Sequence, residues 1–383
     1  MRDVKIVVRG TVRPAAFCPV SAAVKRSPEE LVSCALSEAE GDVPVPCQVA
    51  PAAEGAEVHW IVDSLAPRQE RAYVLRESAC RPSFRAVNVT LESEGSLSVR
   101  VGGQLFTRYL YGSAVPKPCL YPVLGPFGQG VTRAYPQEHV EGDSTDHVHQ
   151  RSLWVAWGDV NGSDNWSEEK GSGRMVHRGF EAVESGLVFG HIASANDWVN
   201  AAGKRLLQDR LQYRFYAVPP SFRLFDLDVT FHATEGDVRF GDTKEGGMIS
   251  LRVATHMEGS RGGRIENALG AVTEAQTWGK RASWCDYSGR VGDHVVGICV
   301  FDDPSNLRYP TYWHVRDYGL MTANPFGLSF FVGGGADGSF VLPAGGRLQF
   351  RYRVLVHAGT ACEAGVRSQY LQWTFPPSVT VQD

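Results

Sequence analysis

Two runs either side of Pro219-Pro220 constrain this chain most. Leu207, Leu211, Tyr213, Phe215 and Ala217 keep to odd positions, and Phe225, Leu227, Val229, Phe231 and Ala233 do the same beyond the prolines. A period of two places alternate side chains on one face, so both runs predict half-buried antiparallel strands. Leu348, Phe350, Tyr352, Val354 and Val356 repeat the pattern, as do Val4, Ile6 and Val8. Val87, Val89 and Leu91 and then Leu97, Val99 and Val101 flank Ser93-Glu94-Gly95, which reads as a hairpin. Residues 58–65 and 71–76 read as two strands joined at Pro67, while 248–254 and 295–301 are apolar enough for core strands. Ser27-Pro28-Glu29-Glu30 carries a capping-box pattern with proline at the first helical position, predicting a short helix to about Ser37. A closing helix is expected over 361–373. Residues 113–136, rich in proline and glycine, predict an ordered loop bordering a pocket, with a linker as the alternative.

Many strands, little helix and 41 glycines in 383 residues imply a large sandwich. A net charge of −4 without a basic block argues against nucleic acid as a partner, because that binding needs clustered Lys and Arg. The eight cysteines (18, 34, 47, 80, 119, 285, 299 and 362) form no C-x-x-C pair, so neither a disulfide framework nor a zinc ribbon is expected. Reduced thiols and the lack of an N-terminal apolar run predict a cytoplasmic protein. No stretch approaches the ~20 apolar residues that cross a bilayer, so no membrane is expected.

Chemistry concentrates between Asp146 and Trp166, where two histidines, an arginine, three tryptophans and several carboxylates crowd together. Read as a strand over 146–157, this stretch puts His147, His149 and Arg151 on one face above Leu153, Val155 and Trp157. Asn161-Gly162 then reads as a turn. Three other stretches carry polar groups foreign to a plain core. The charged turn Gly241-Asp242-Thr243-Lys244-Glu245-Gly246-Gly247 leads into a strand holding Arg252. A second run, 279–289, holds Asp286 and Tyr287. A third holds Tyr312, His314, Arg316, Asp317 and Tyr318, followed by Asn324-Pro325-Phe326-Gly327. Each has a plain structural alternative: a solvated turn at Lys244-Glu245, an ion pair of Asp286 with Arg281, a hydrogen-bonded core histidine at His314. Taken together they suit a polyol ligand, with aromatic faces against C–H groups and charged groups on hydroxyls. His147, His149, His314 and Glu245 could also supply ligands to a divalent metal ion, although no cofactor is firmly implied.

The motifs Asp146-His-x-His-x-Arg-x-Leu-Trp, Gly158-Asp-Val-Asn-Gly-x-Asp, Gly241-Asp-Thr-Lys-Glu-Gly-Gly, Trp278-Gly-Lys-Arg, Trp284-x-Asp-Tyr-Ser-Gly, Trp313-His-Val-Arg-Asp-Tyr-Gly and Asn324-Pro-Phe-Gly resemble the DUF6807 family, often labelled PmoA or methane oxygenase-like. The resemblance runs from about Cys119 to Gly359. Membrane methane oxidation requires several spanning helices, which this chain lacks. What the resemblance implies instead is a β-sandwich protein of bacterial sugar metabolism, functionally paired with oxidoreductases of the Gfo/Idh type. Val148, Gln150 and Ser152 stand where the family usually has Pro, His and Gly, which points to an altered substrate.

The expected fold is all-β, a large antiparallel β-sandwich of the supersandwich or galactose-mutarotase-like kind with few short helices. Residues 1–112 are expected to form a β-rich segment packing on a main sandwich of 113–383. The expected activity is a lyase or dehydratase acting on a keto-sugar, glycoside or nucleoside by acid/base elimination or hydration. His147 or His149 would be the base, His314 or Glu245 the acid, and Lys244, Arg252 and Arg316 would stabilise the enolate. Arg151, Asn161, Asp286, Tyr287, Asp317 and Asn324 complete the expected substrate contacts. The alternatives are glycoside hydrolysis by paired carboxylates such as Glu245 and Asp286, and carbohydrate binding without catalysis.

Overall fold

The computed structural model describes residues 3–78 and 86–382; Cys80 lies outside them. Every strand pairing among them is antiparallel. Two large sheets make the sandwich. The nine-stranded sheet runs, edge to edge, through Lys280–Arg281, Tyr312–Val315, Leu320–Asn324, Gly246–Arg252, Leu153–Trp157, Cys119–Val123, Gln104–Leu110, Ser96–Val101 and Val87–Ser93. The eight-stranded sheet runs through Arg174–Glu184, Phe189–Val199, Arg205–Tyr216, Phe222–His232, Arg347–Ala358, His294–Asp302, Trp284–Val291 and Arg264–Asn267. The fold is therefore the expected all-β sandwich. The two alternating runs about Pro219-Pro220 are neighbouring strands whose apolar rows register with one another, Leu211 on Val229 and Tyr213 on Leu227.

Those rows face a single buried core. Phe106 packs edge-on against Phe215, and Tyr109 packs at a tilt against Tyr213, joining the two sheets. Burying each such side chain contributes about 1.5–3 kcal/mol, which makes the interior the main source of stability. The N-terminal residues form two smaller sheets. One runs through Ser378–Gln382, Val4–Arg9, Glu70–Glu77, Cys34–Glu38 and Pro44–Val45; the other through Ala15–Val24, Ala56–Leu65 and Cys47–Pro51. They enclose their own core around Trp60 and Tyr73. The two strands joined at Pro67 thus enter different sheets. The hairpin Val87–Ser93 and Ser96–Val101 and the strand Gln104–Leu110 precede residue 112, yet hydrogen-bond into the nine-stranded sheet.

Several local expectations need correction. The capping box at Ser27 forms, but its helix is only Pro28–Leu31, because Cys34–Glu38 is drawn into a sheet. The closing helix is Val366–Thr374. Residues 113–136 include the strand Cys119–Val123. The strand expected over 146–157 is confined to Leu153–Trp157. Residues 146–152 are a loop, with His147 and Ser152 at φ 44° and 59°, conformations that no extended strand contains. No described cysteine is in a disulfide. No helix among the described residues is long and apolar enough to cross a membrane.

Candidate functional site

The strand Tyr312–Val315 places His314 opposite Thr322, and Thr322 lies opposite Ser250. That polar row alternates with an apolar one, Trp313, Ala323 and Ile249. An apolar row belongs against the sandwich interior, so His314 points from the outer face of the nine-stranded sheet. There it lines a cavity of about 360 Å³ together with His147, His149, Trp166, Ser167, Lys244, Glu245, Arg316 and Tyr318. Three of the four stretches singled out in the sequence converge here.

The Lys244-Glu245 turn is held from below. Asn324 donates its amide N–H groups to the carbonyls of Thr243, Lys244 and Gly246 at 3.0, 3.1 and 3.0 Å. The Gly158 N–H donates to the Glu245 carbonyl at 2.8 Å. A Cβ on Gly246 would come within 2.3 Å of the Trp157 ring, so only glycine lets this backbone settle onto the indole. Lys244 Nζ and Glu245 Oε1 pair at 2.6 Å. His314 Nδ1 lies 2.8 Å from the Lys244 carbonyl. A carbonyl only accepts, so Nδ1 carries the proton and Nε2 keeps its lone pair. Burial is the main force pushing His314 down to about 4, so its ring is neutral at pH 7.

Loop 146–152 is built on two fully buried guanidiniums. Arg133 donates to the carbonyls of Ser144, Asp146, His147 and Gln150, taking the place of a partner strand. Arg252 donates to Asp146 Oδ1 at 2.9 Å, Gln150 Oε1 at 2.7 Å and Glu258 Oε1 at 3.1 Å. Burial alone would raise the Asp146 carboxyl. The Ser144 hydroxyl, Arg252 and His147 outweigh that and hold it well below the usual carboxylate range. Asp146 Oδ2 in turn lies 2.5 Å from His147 Nδ1. An ionised carboxylate only accepts, so Nδ1 of His147 carries a proton and Nε2 is the ring nitrogen left free of Asp146. Its ring stacks on Tyr318 at 4.9 Å and 10°, and Tyr318 covers the Arg252 guanidinium at 4.8 Å. The left-handed backbone at His147 stores about 1–3 kcal/mol of strain, which this set of contacts holds in place.

His149 meets the His147 ring edge-on at 5.7 Å. Burial first, then Lys117 and His147, push it down to about 4. Lys117 is buried beneath it and donates to the carbonyls of His149 and Trp166, with Glu168 at 3.3 Å. Burial lowers this lysine to about 8. Lys117 and Arg133 are what residues 113–136 bring to the site: they support the pocket and do not line it.

Seven expected site residues lie outside the cavity lining. Arg151 turns to Glu168 in a two-pronged pair, 2.7 Å on each arm. Arg252 is sealed beneath Tyr318. Asn161 and Gly162 form the expected turn, with φ 52° and 81°, and the Asn161 side chain is spent on the Arg239 N–H and the Asp237 carbonyl. Asp286 is buried in the eight-stranded sheet, where it pairs with His357 at 2.8 Å and not with Arg281, which donates to the carbonyls of Arg308, Tyr309 and Pro310. The Tyr287 hydroxyl accepts from the Gly259 N–H and donates to the Asp317 carbonyl, so it props the turn that carries Arg316. Asp317 itself is exposed, and its N–H donates to Glu274. Asn324 supports the Lys244 turn. Trp166 was noted only as the end of the central stretch, and Ser167 and the orienting role of Asp146 were not singled out. The signal was present in the last case, since Asp146 directly precedes His147. Among the described residues, no cluster of three or more His, Cys, Asp or Glu side chains is arranged to hold a metal ion.

The model of a family of unknown function, DUF6807, matches residues 96–371. No curated protein matches the sequence. Among solved structures, an alpha-mannosidase from Enterococcus faecalis V583 is 10% identical, with the match covering 100% of this chain and 46% of that one at a TM-score of 0.46. A glycosyl hydrolase family 38 protein from Enterococcus faecalis is also 10% identical, at 100% and 47% coverage and a TM-score of 0.46. An alpha-galactosidase from Lactobacillus brevis is 7% identical, at 75% and 42% coverage and a TM-score of 0.37. The chain spans less than half the length of these structures.

Proposed function

The chain belongs to the DUF6807 family, whose function is unknown, and from the chemistry of its pocket we propose an acid/base enzyme that acts on an oxidised sugar unit by elimination beside the carbonyl, or by the reverse hydration. The observation that carries this reading is the 2.5 Å contact of His147 Nδ1 with the Asp146 carboxylate. It fixes the tautomer and leaves Nε2 as a base at a cavity that also holds two cationic side chains. His147 takes the proton from the carbon next to the ketone. The C–H electron pair moves onto the carbonyl oxygen, where Arg316 stabilises the enolate. The enolate collapses to a carbon–carbon double bond and expels the β-oxygen, which takes its proton from the Lys244–Glu245 pair. The products are an unsaturated ketone and an alcohol. His149 and His314, both neutral, accept hydroxyl hydrogen bonds, and Tyr318 and Trp166 supply apolar walls for the sugar's C–H face. A cavity of this size suits a single sugar unit. The ketone itself would come from a dehydrogenase of the Gfo/Idh type.

Glu245 is the only carboxylate among the lining residues, and Asp286 is engaged by His357. Elimination is therefore favoured here over hydrolysis by that pair of carboxylates, which needs both to flank one bond. The test is mass spectrometry of 3-keto-glycosides and their unoxidised parents incubated with the protein. Release of the aglycone alcohol only from the keto form, falling by about 10²–10⁴-fold in kcat/KM for His147→Ala, is the expected result. Turnover of the unoxidised glycosides, or a fully active His147→Ala, overturns the proposal.

A further inference from the structure

The outer face of the eight-stranded sheet carries a second cavity, also of about 360 Å³, which shares no residue with the first. Its floor is a polar row drawn from neighbouring strands in register. His191 lies opposite Arg214, Arg214 opposite Asp226, Gln212 opposite Asp228, and Asp228 opposite Arg351. The apolar partners of this row, Leu211, Tyr213, Leu227 and Phe350, point into the core, so the polar set faces outward. Trp373, from the helix Val366–Thr374, borders the cavity. Arg353 covers its ring at 5.4 Å, which fixes the indole in place.

Most surface ladders of this kind satisfy themselves, and part of this one does. Asp226 accepts two hydrogen bonds from Arg353 and one from the Tyr216 hydroxyl. The remainder does not close. Asp228 and Arg351 are 3.7 Å apart, beyond hydrogen-bonding distance. Arg214 Nε is buried with no hydrogen-bond partner, and the guanidinium rests on the Phe189 ring. Gln212 adds an amide with both donor and acceptor ends. Asp228, Arg351 and Gln212 thus present acceptors and donors side by side at the cavity. Its formal charges, three carboxylates (Asp226, Asp228, Asp303) against two guanidiniums (Arg214, Arg351), nearly cancel. An anion meets the carboxylates and a cation meets the guanidiniums. A neutral polyol, whose hydroxyls both donate and accept, satisfies both and lays its C–H face on the indole.

We propose that this cavity is a second, non-catalytic saccharide-binding site, specific for neutral sugars and held by Gln212, Asp228, Arg351 and Trp373. The proposal does not depend on the reaction assigned to the first pocket. The test is amide and indole NMR of the full chain titrated with glucose, galactose, cellobiose and maltose, with glucose 6-phosphate as the anionic comparison. Expected are shifts at Gln212, Asp228, Arg351 and the Trp373 indole with at least one neutral sugar, weakened at least tenfold by Asp228→Asn and by Gln212→Ala. Neither side chain takes part in the backbone ladder, and the amide spectra of the variants themselves report any loss of the fold. The proposal is overturned by shifts confined to the His147 cavity, by shifts that survive both variants, by a response to glucose 6-phosphate alone, or by no response.

Discussion

At the scale of single residues, the first pocket is governed by where protons sit. His147 and His314 each have Nδ1 facing an acceptor, Asp146 and the Lys244 carbonyl respectively, so both carry a proton on Nδ1. His149 and His314 have folded values pushed from the ordinary ~6.5 down to about 4. A depressed value means that the unfolded chain binds these protons first as pH falls. The neutral rings therefore contribute stability that is complete above about pH 6.5 and lost progressively towards pH 4. NMR of the imidazole Cε1–H resonances should show no titration of His149 or His314 between pH 8 and 5.5; a midpoint near 6.5 for either ring would refute its burial in neutral form. The histidines, Lys244, Glu245 and Arg316 were legible in the sequence because short polar motifs interrupted apolar strands. Arg252 and Asp286 were misread for a physical reason. A charged residue within a buried run looks the same in sequence whether it meets a ligand or neutralises a neighbour such as Asp146 or His357.

Among elements, the loop 146–152 shows why periodicity misled. Its alternating side chains match a strand, but its carbonyls are satisfied by the Arg133 side chain, and a side chain from elsewhere in the chain leaves no trace in local spacing. The charged turn before Gly246–Arg252 was legible as a polar, glycine-flanked run leading into an apolar strand. Its support is tested by Gly246→Ala. The added methyl would press on Trp157 and is expected to cost about 1–3 kcal/mol. It should also displace Lys244 and Glu245, lowering activity further than Tm alone explains. A variant with wild-type Tm by calorimetry would show that the contact yields without strain.

On the scale of the molecule, the sandwich could be read from strand alternation, whereas the partition of strands among sheets could not. Residues 87–110 and 4–77 share the same period-two texture, and only the long-range pairing of Gln104–Leu110 with Cys119–Val123 assigns the former to the main sheet. Long-range pairing also ties Ser378–Gln382 to Val4–Arg9, with Val381 opposite Ile6 and Val379 opposite Val8. Deleting 378–382 should strip one edge of the N-terminal sheet and remove two partly buried valines that pack against its core, a loss of about 2–3 kcal/mol. Chemical denaturation should report that loss, and an unchanged midpoint would mean the strand adds nothing to the N-terminal core. The two cavities open on opposite sides of the sandwich, through two sheets and the hydrophobic layer between them. Under the two proposed roles, a long, chain-like glycan gripped at the second mouth would leave the first facing open liquid, so tethering and turnover would have no common approach to contest.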